Sequence, residues 1–478
     1  MKNKIAVFVL LFCTHWAFGQ RRTYPPTKNP DRILLSLTEQ PHERQSVTWR
    51  TDRSVKGAYA QIAEATGSPD FREKADSTVA ATQLFQHDYL LPKPPPERRP
   101  YQALYHTVTF ENLKPATKYA YRVGDGQHWS EWFHFTTAGS PNDPIAFLYF
   151  GDAQNELKSM WSRVIREAYS TEPHINFILH AGDLVNRSFN DREWGEWFYA
   201  AGWINGMVPT MATPGNHEYD PRTLGQALDG EKVLSRYWPY IFEFPRNGPK
   251  GPEELQETVY YVDYQDLRII SLNSAAAIYH PEAIEPQLKW LEEVLQNNPQ
   301  KWTIVTHHHP LYAARMGRDN SQIREALQPL YEKYGVDLVL QGHDHTYGRG
   351  SNKNYGARYA GDQGPIYVVS VSGPKMYNSS FGEWVDRTAS NTQLYQLIRI
   401  DGDRLRYEAF TAVGQLYDAF AIQKDAAGNN IFTDQAPEDV QEIITVPKSQ
   451  AKKEKWSDED FEDYQRRYQE YVKRKKGF

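Results

Sequence analysis

Ile145-Ala-Phe-Leu-Tyr-Phe-Gly-Asp-Ala-Gln154 is an apolar run that ends abruptly in a glycine, a carboxylate and an amide. A short unbroken apolar run bounded by turn residues reads as a strand covered on both faces, the kind that parallel sheets use. The pattern recurs along the chain. Residues 175–180 lead to Gly182-Asp183, 208–213 to Gly215-Asn216-His217-Glu218, 302–306 to His307-His308-His309, and 336–340 to Gly342-His343-Asp344-His345, with 267–272 as a further strand candidate. Helical stretches separate these runs, so the spacing predicts β-α units and a mostly parallel sheet whose strand ends share one edge. The runs 366–371, 393–400 and 405–411 alternate more and suit a second layer, which makes a two-sheet α/β domain flanked by helices.

Upstream of the linker Gly139-Ser-Pro-Asn-Asp-Pro144 the rhythm differs. Residues 33–38, 46–50, 105–110 and 132–136 are short strand-like runs separated by turn residues, the pattern of an all-β sandwich. Leu113-Lys-Pro-Ala-Thr-Lys-Tyr119-Ala-Tyr121-Arg-Val123 resembles the fibronectin type III signature, in which a tyrosine entering a strand hydrogen-bonds to upstream backbone. Tyr119 is that residue here, and the proline-rich stretch 92–100 reads as an extended excursion. At the other end, Ser457-Asp-Glu-Asp460 is a capping box ahead of Phe461, Tyr464, Tyr468 and Tyr471, whose spacing predicts an amphipathic helix with its aromatic stripe packed on the protein's own surface. The chain is therefore expected to be multidomain: an export signal at 1–19, a fibronectin/Ig-like sandwich at 28–138, the α/β domain at 144–425 and a charged helical extension at 435–478.

The export reading rests on Lys2 and Lys4, the apolar stretch 5–13, and Ala17 and Gly19 before the expected cut. Cys13, the one cysteine among 478 residues, would leave with that signal. The remaining chain would then have neither disulfides nor cysteine-held zinc, and any metal must be held by His, Asp, Glu or amide groups. No later run is long enough to span a bilayer, so a periplasmic or secreted protein is expected. A formal net charge of −6 disfavours a nucleic-acid partner, which needs clustered positive charge. The terminal Lys473-Arg474-Lys475-Lys476 run suits the end of a helix, where cations meet the macrodipole.

In open α/β sheets ligands bind beyond the carboxyl ends of the strands, so the five polar clusters are expected to converge. Seven of the 15 histidines, His180, His217, His307, His308, His309, His343 and His345, sit in those clusters. Imidazoles gathered with carboxylates suit zinc, iron or manganese more than calcium. Two such ions about 3.5–4 Å apart, bridged by a carboxylate, can bind phosphate and generate a hydroxide nucleophile.

The ordered set Leu179-His-Ala-Gly-Asp183, Gly215-Asn-His-Glu218, Phe244-Pro-Arg-Asn247, Val305-Thr-His-His308 and Gly342-His-Asp-His-Thr-Tyr-Gly-Arg349 resembles the calcineurin-like metallophosphoesterases and, within them, the purple acid phosphatases. Carried over by motif, the resemblance implies one metal on Asp152, Asp183 and His345 and another on Asp183, Asn216, His308 and His343, with Asp183 bridging. It implies His217 as the group that contacts phosphate and protonates the leaving oxygen. Arg315 and Arg318, in the loop after His308, are candidates to grip the substrate anion. Two positions depart from the family pattern. Asn186 stands where a tyrosinate ligand is expected, which puts the purple colour in doubt, and Gln154 stands where many relatives carry a ligand histidine, leaving it either a ligand or a hydrogen-bonding neighbour of the ligands. Glu218 is read as orienting His217 or facing water, and residues 194–201 as a core-facing helix.

The reading is a phosphomonoesterase acting on a small-molecule phosphoester through two metal ions, iron, zinc or manganese. A phosphodiesterase or nucleotide pyrophosphatase would use the same centre, with 220–255 and 311–321 as discriminating loops. A non-catalytic surface or adhesion module is the alternative from another class, suggested by the fibronectin-like domain and by Gln154 and Asn186.

Overall fold

The computed structural model describes residues 24–90, 98–221, 232–351 and 364–476. The expected export signal, most of the proline-rich excursion and part of the 220–255 loop lie outside them.

Ile145–Phe150, Phe177–His180 and Thr210–Ala212 pair in parallel, as their apolar runs predict. Leu394–Asp401 adds antiparallel to Ile145–Phe150, followed by Arg404–Thr411, Leu416–Lys424 and Asn430–Asp434. On the opposite side Thr210–Ala212 pairs with Asp31–Ser36, Ser36 opposite Thr210, and the sheet continues through Gln45–Thr51, Arg98–Phe110 and Ala81–Leu90 to eleven strands. The linker at 139–144 thus separates two parts of the chain that share one sheet.

Leu267–Ser271, Trp302–Thr306, Leu338–Gln341 and Ile366–Val369 are also parallel, but in a second sheet of seven strands completed by Tyr260–Tyr264, Tyr347–Gly350 and Val385–Ala389. The expectation that all polar strand ends share one sheet edge is corrected here: they are divided between two mixed sheets packed face to face. Side-chain alternation explains why this division is stable. Ile304, Leu338 and Leu340 turn into the core between the sheets with Phe147, Ile178 and Leu397, whereas Val305 and Val339 turn outward beneath Leu291, Leu295, Ile323 and Leu327. The last four belong to Ile284–Gln296 and Ser321–Lys333, the helices covering that face. Of the runs assigned to a second layer, Ile366–Val369 joins the sheet of seven, while Leu394–Asp401 and Arg404–Thr411 extend the sheet of eleven.

In the N-terminal part a four-stranded sheet, Asp76–Val79, Tyr59–Glu64, Lys118–Gly124 and Phe133–Thr136, closes a β-sandwich over Trp49, Val108 and Phe110 with Tyr121 and Phe135. Tyr119 Oη accepts from the Lys114 amide at 2.8 Å, the upstream backbone bond its motif predicts. Asp191–Ala201 buries Trp194, Trp197, Phe198 and Ala201 as expected, with Asn190 capping its start. The C-terminal helix Asp458–Lys475 has the expected capping box, and Tyr464, Tyr468 and Tyr471 pack around Phe381 at 5.0, 5.5 and 5.7 Å. Phe461 departs from this stripe: it is 40% exposed, with its ring edge-on to that of Trp456.

Two buried histidines held in apolar or hydroxyl surroundings make the fold acid-sensitive. His106 lies between Thr51 and Thr82, and His180 is packed among Phe150, Trp161 and Trp197; burial depresses them from 6.5 to about 4 and about 3. In the unfolded chain both protonate as pH drops below 6.5, while the folded protein keeps them neutral. Stability is therefore full above pH 6.5 and is lost as pH falls toward 4, by up to about 1.4 kcal/mol per pH unit for each group. Urea midpoints at pH 7.0, 5.5 and 4.5 should decline in step, and His106→Gln should flatten the decline. A profile level from pH 7 to 4.5 would contradict this.

Candidate metal centre

Although they come from two sheets, the polar strand ends meet. Asp152, Asp183 and Asn216 follow strands of the eleven-stranded sheet; His308, His343 and His345 follow strands of the other. Ligand atoms of Asp183, His308 and His343 lie within 4.8 Å of one another, and so do those of Asp152, Asp183 and His345. Asp183 belongs to both sets. Asn216 Oδ1 joins the first at 3.2 Å from His308 Nε2.

The backbone is bent to bring these groups in. Asp183, His343 and His345 have φ of 51°, 75° and 47°, the left-handed region that costs a side-chain-bearing residue about 1–3 kcal/mol. Close approach also excludes side chains: a Cβ on Gly215 would stand 2.2 Å from Asp183 Oδ1, and one on Gly342 2.4 Å from Asp152 Oδ1. Hydrogen bonds from the far side then set the rings. His308 Nδ1 faces the Ala181 carbonyl at 2.8 Å and His345 Nδ1 the Lys375 carbonyl at 3.0 Å, so each presents Nε2 inward. The His343 amide donates to Asp152 Oδ1 at 2.5 Å and the His217 amide to Asp183 Oδ1 at 2.8 Å.

The donor set fits cations. Asp152 Oδ2 and Gln154 Oε1 are buried without a hydrogen-bond partner among the described residues. His343 Nδ1 stands 3.2 Å from His308 Nε2, two ring nitrogens directed at each other as they would be at a shared ion. Burial holds His343 and His345 well below the ordinary histidine range, which keeps their lone pairs available. Burial raises the Asp152 carboxyl to about 7, reinforced by Asp183. Burial also opposes the charges of Asp183 and His308, yet their attraction at 3.2 Å dominates, holding Asp183 well below the carboxylate range and His308 up at about 9.

The other predicted residues are accounted for as follows. Gln154 directs its amide into the site, Nε2 lying 2.9 Å from Asp183 Oδ2 and 3.0 Å from His345 Nε2. Asn186 contributes its backbone carbonyl, which faces His217 Nδ1 at 2.6 Å. The His217 ring, 25% exposed, keeps Nε2 3.9 Å from Asp183 Oδ2. Arg318 is committed to the loop itself, donating to Asp344 Oδ1 at 2.5 Å and to the His343 carbonyl at 3.2 Å. Arg315 lies over the Tyr377 ring at 3.9 Å and pairs with Glu454 at 3.6 Å. Of the remaining histidines, His180 and His307 are core residues, and His309 packs its ring 4.2 Å from that of His343 while bonding Ser274.

Glu218 does neither of the things its sequence suggested. It is fully buried and accepts from four backbone amides, those of Asp183 and Gly215 at 2.8 Å, Leu184 at 2.9 Å and Val185 at 3.4 Å. It therefore fixes the turn carrying Asp183 against the one carrying Asn216. Lys375 and Tyr377 were also missed, although the 366–371 run ends in Ser372-Gly373-Pro-Lys375, the same apolar-to-polar break that marked the other loops.

Comparison with known proteins shows what the chain is similar to. Residues 145–347 match the calcineurin-like phosphoesterase family and residues 30–137 the purple acid phosphatase N-terminal domain. Acid phosphatase type 7 of Danio rerio is 28% identical over 57% of this chain and 65% of its own length, so this chain spans just under two thirds of that relative. The Fe(3+)-Zn(2+) purple acid phosphatase 12 of Arabidopsis thaliana is 25% identical over 68% of this chain and 66% of its own length. Among solved structures, the purple acid phosphatase PPD1 of yellow lupin superposes with a TM-score of 0.67 at 21% identity, covering 84% of this chain and 75% of that one.

Proposed function

Because the chain belongs to the calcineurin-like metallophosphoesterases and carries a purple acid phosphatase N-terminal domain, we propose that it is an exported phosphomonoesterase that transfers the phosphoryl group of a small phosphoester to water at a dinuclear metal centre. The sharing of Asp183 between two sets of ligand atoms carries this reading. Asp152, Asp183 and His345 would hold one ion and Asp183, Asn216, His308 and His343 the other, with the Gln154 amide as an added neutral donor and the Asn186 side chain as a further candidate. When bound, the ions supply Lewis acidity to the phosphate oxygens and acidify coordinated water so that hydroxide is available near neutrality.

His217 completes the reaction on the leaving-group side. With Nδ1–H given to the Asn186 carbonyl, Nε2 is the nitrogen left to meet substrate, 3.9 Å from Asp183 Oδ2. A protonated Nε2 hands its proton to the departing alkoxide and regains one from water. His217→Gln is expected to slow an alkyl phosphate by about 10²-fold, and p-nitrophenyl phosphate, whose leaving group needs no proton, by less than about tenfold. Equal losses on both esters would remove the proton-donor role.

The metals should be iron, zinc or manganese, held without a tyrosinate because Asn186 replaces it. Elemental analysis of the purified protein should give two ions per chain with no strong tyrosinate-to-iron absorption; an intense band would refute the assignment at Asn186. A panel of aryl phosphate, bis-aryl phosphate and nucleotide sugar tests the substrate class. Faster turnover of either diester than of the monoester would make the protein a diesterase. Among the described residues no helix is long and apolar enough to cross a membrane.

A further inference from the structure

Among the described residues Arg315, Arg318 and Lys375 lie on the loops beside the two ligand sets, and they differ in what neutralises them. Arg318 is spent on buried Asp344. Arg315 meets Glu454 at 3.6 Å, beyond hydrogen-bonding distance, with both side chains partly in solvent. Lys375 is half-buried, and among the described residues it forms no ion pair. An ammonium that no carboxylate contacts is available to the anionic group of a ligand.

Tyr377 gathers these groups beside the centre. Its ring meets the His345 imidazole edge-on, with centroids 4.9 Å apart at 74°. The Arg315 guanidinium lies 3.9 Å from the ring centroid and Lys375 Nζ 5.5 Å from it. The carbonyl of Lys375 is the one that orients His345, so this lysine is tied by its own backbone to a ligand of the Asp152, Asp183 and His345 set. The occupant of Arg315 shows what chemistry the place accepts. It is a carboxylate, contributed by the end of the helix Lys448–Glu454, and it has another partner ready in Trp456 Nε1 at 2.9 Å.

Resting on the proposed phosphoesterase activity, we propose that Lys375, Arg315 and the Tyr377 ring form a carboxylate subsite next to the metal centre, selecting phosphoesters whose leaving group carries a carboxylate, with Glu454 occupying Arg315 until such a substrate arrives. A guanidinium held over a ring offers a planar donor pair to a carboxylate, and the ammonium adds charge without geometric demand.

The test uses 3-phosphoglycerate and glycerol 3-phosphate, which differ by a carboxylate in place of a hydroxymethyl group, on the metal-loaded full chain. Turnover is followed together with calorimetric binding. The wild type should favour the carboxylated ester by about tenfold in KM and in Kd. Lys375→Gln should bring that ratio close to one, Lys375→Arg should restore most of it, and Glu454→Gln, which frees Arg315, should raise it. A wild-type ratio near one, or a ratio unmoved by Lys375→Gln and Glu454→Gln alike, would overturn the subsite. Preferential binding of the carboxylated ester without hydrolysis of either compound would sustain the subsite and reject the hydrolase reading beneath it.

Discussion

Asp183→Asn is expected to lower turnover by at least about 10³-fold and to reduce bound metal from two ions per chain to one or none. Asp183 is the one residue present in both ligand sets, and its two oxygens are already aimed. Oδ1 is held by the His217 amide and Oδ2 lies 3.2 Å from His308 Nε2. The asparagine keeps shape and volume but turns one oxygen into an amide nitrogen, which repels a cation, and it removes the charge that offsets two divalent ions. Losing several kcal/mol of charge stabilisation corresponds to that rate factor. Elemental analysis and turnover should be read alongside the melting temperature of the metal-free proteins. Two retained ions with turnover within tenfold of wild type would remove Asp183 from its bridging role.

Glu218→Ala should be nearly as damaging without touching a metal ligand's side chain. It leaves four backbone donors of two buried turns without an acceptor, and orphaned buried donors cost about 1–3 kcal/mol each. Water entering the space vacated by the carboxylate offsets part of this, so a loss of about 4 kcal/mol in unfolding free energy is expected. Metal affinity should fall by about 10–100-fold, the usual consequence of removing a group that aims a ligand. Glu218→Gln keeps one acceptor oxygen and should lie between the two. Burial and the nearby Asp183 charge raise the Glu218 carboxyl, while its backbone hydrogen bonds pull it back down. The four amide donors favour the ionised form, and because both oxygens already accept, we read the group as a carboxylate. Urea unfolding and a chelator competition measure the two effects separately; a stable Glu218→Ala variant with unaltered metal affinity would show that the turns hold without it.

These two residues also mark how far the chain could be read before folding. Asp183 was legible because an apolar run followed by Gly-Asp is a local pattern, and its recurrence at Asp152, Asn216, His308 and His343 pointed to one site. Glu218 was not, because its partners at 183–185 lie more than thirty positions upstream along the chain. Whether a glutamate after a histidine faces water or four amides depends on which loop folds over it.

Local sequence determined the strands, the capped helices, the Tyr119 bond and the carboxylate, amide and imidazole groups proposed as metal ligands, since each follows from residues within a few positions of one another. Tertiary structure alone decided that the strand ends come from two facing sheets, that the N-terminal sandwich continues one of them, that Arg318 braces Asp344 and that Arg315 and Lys375 flank Tyr377. A strand buried on both faces has the same apolar composition in either sheet, so its partner is selected by long-range pairing and burial, which no short stretch of residues encodes.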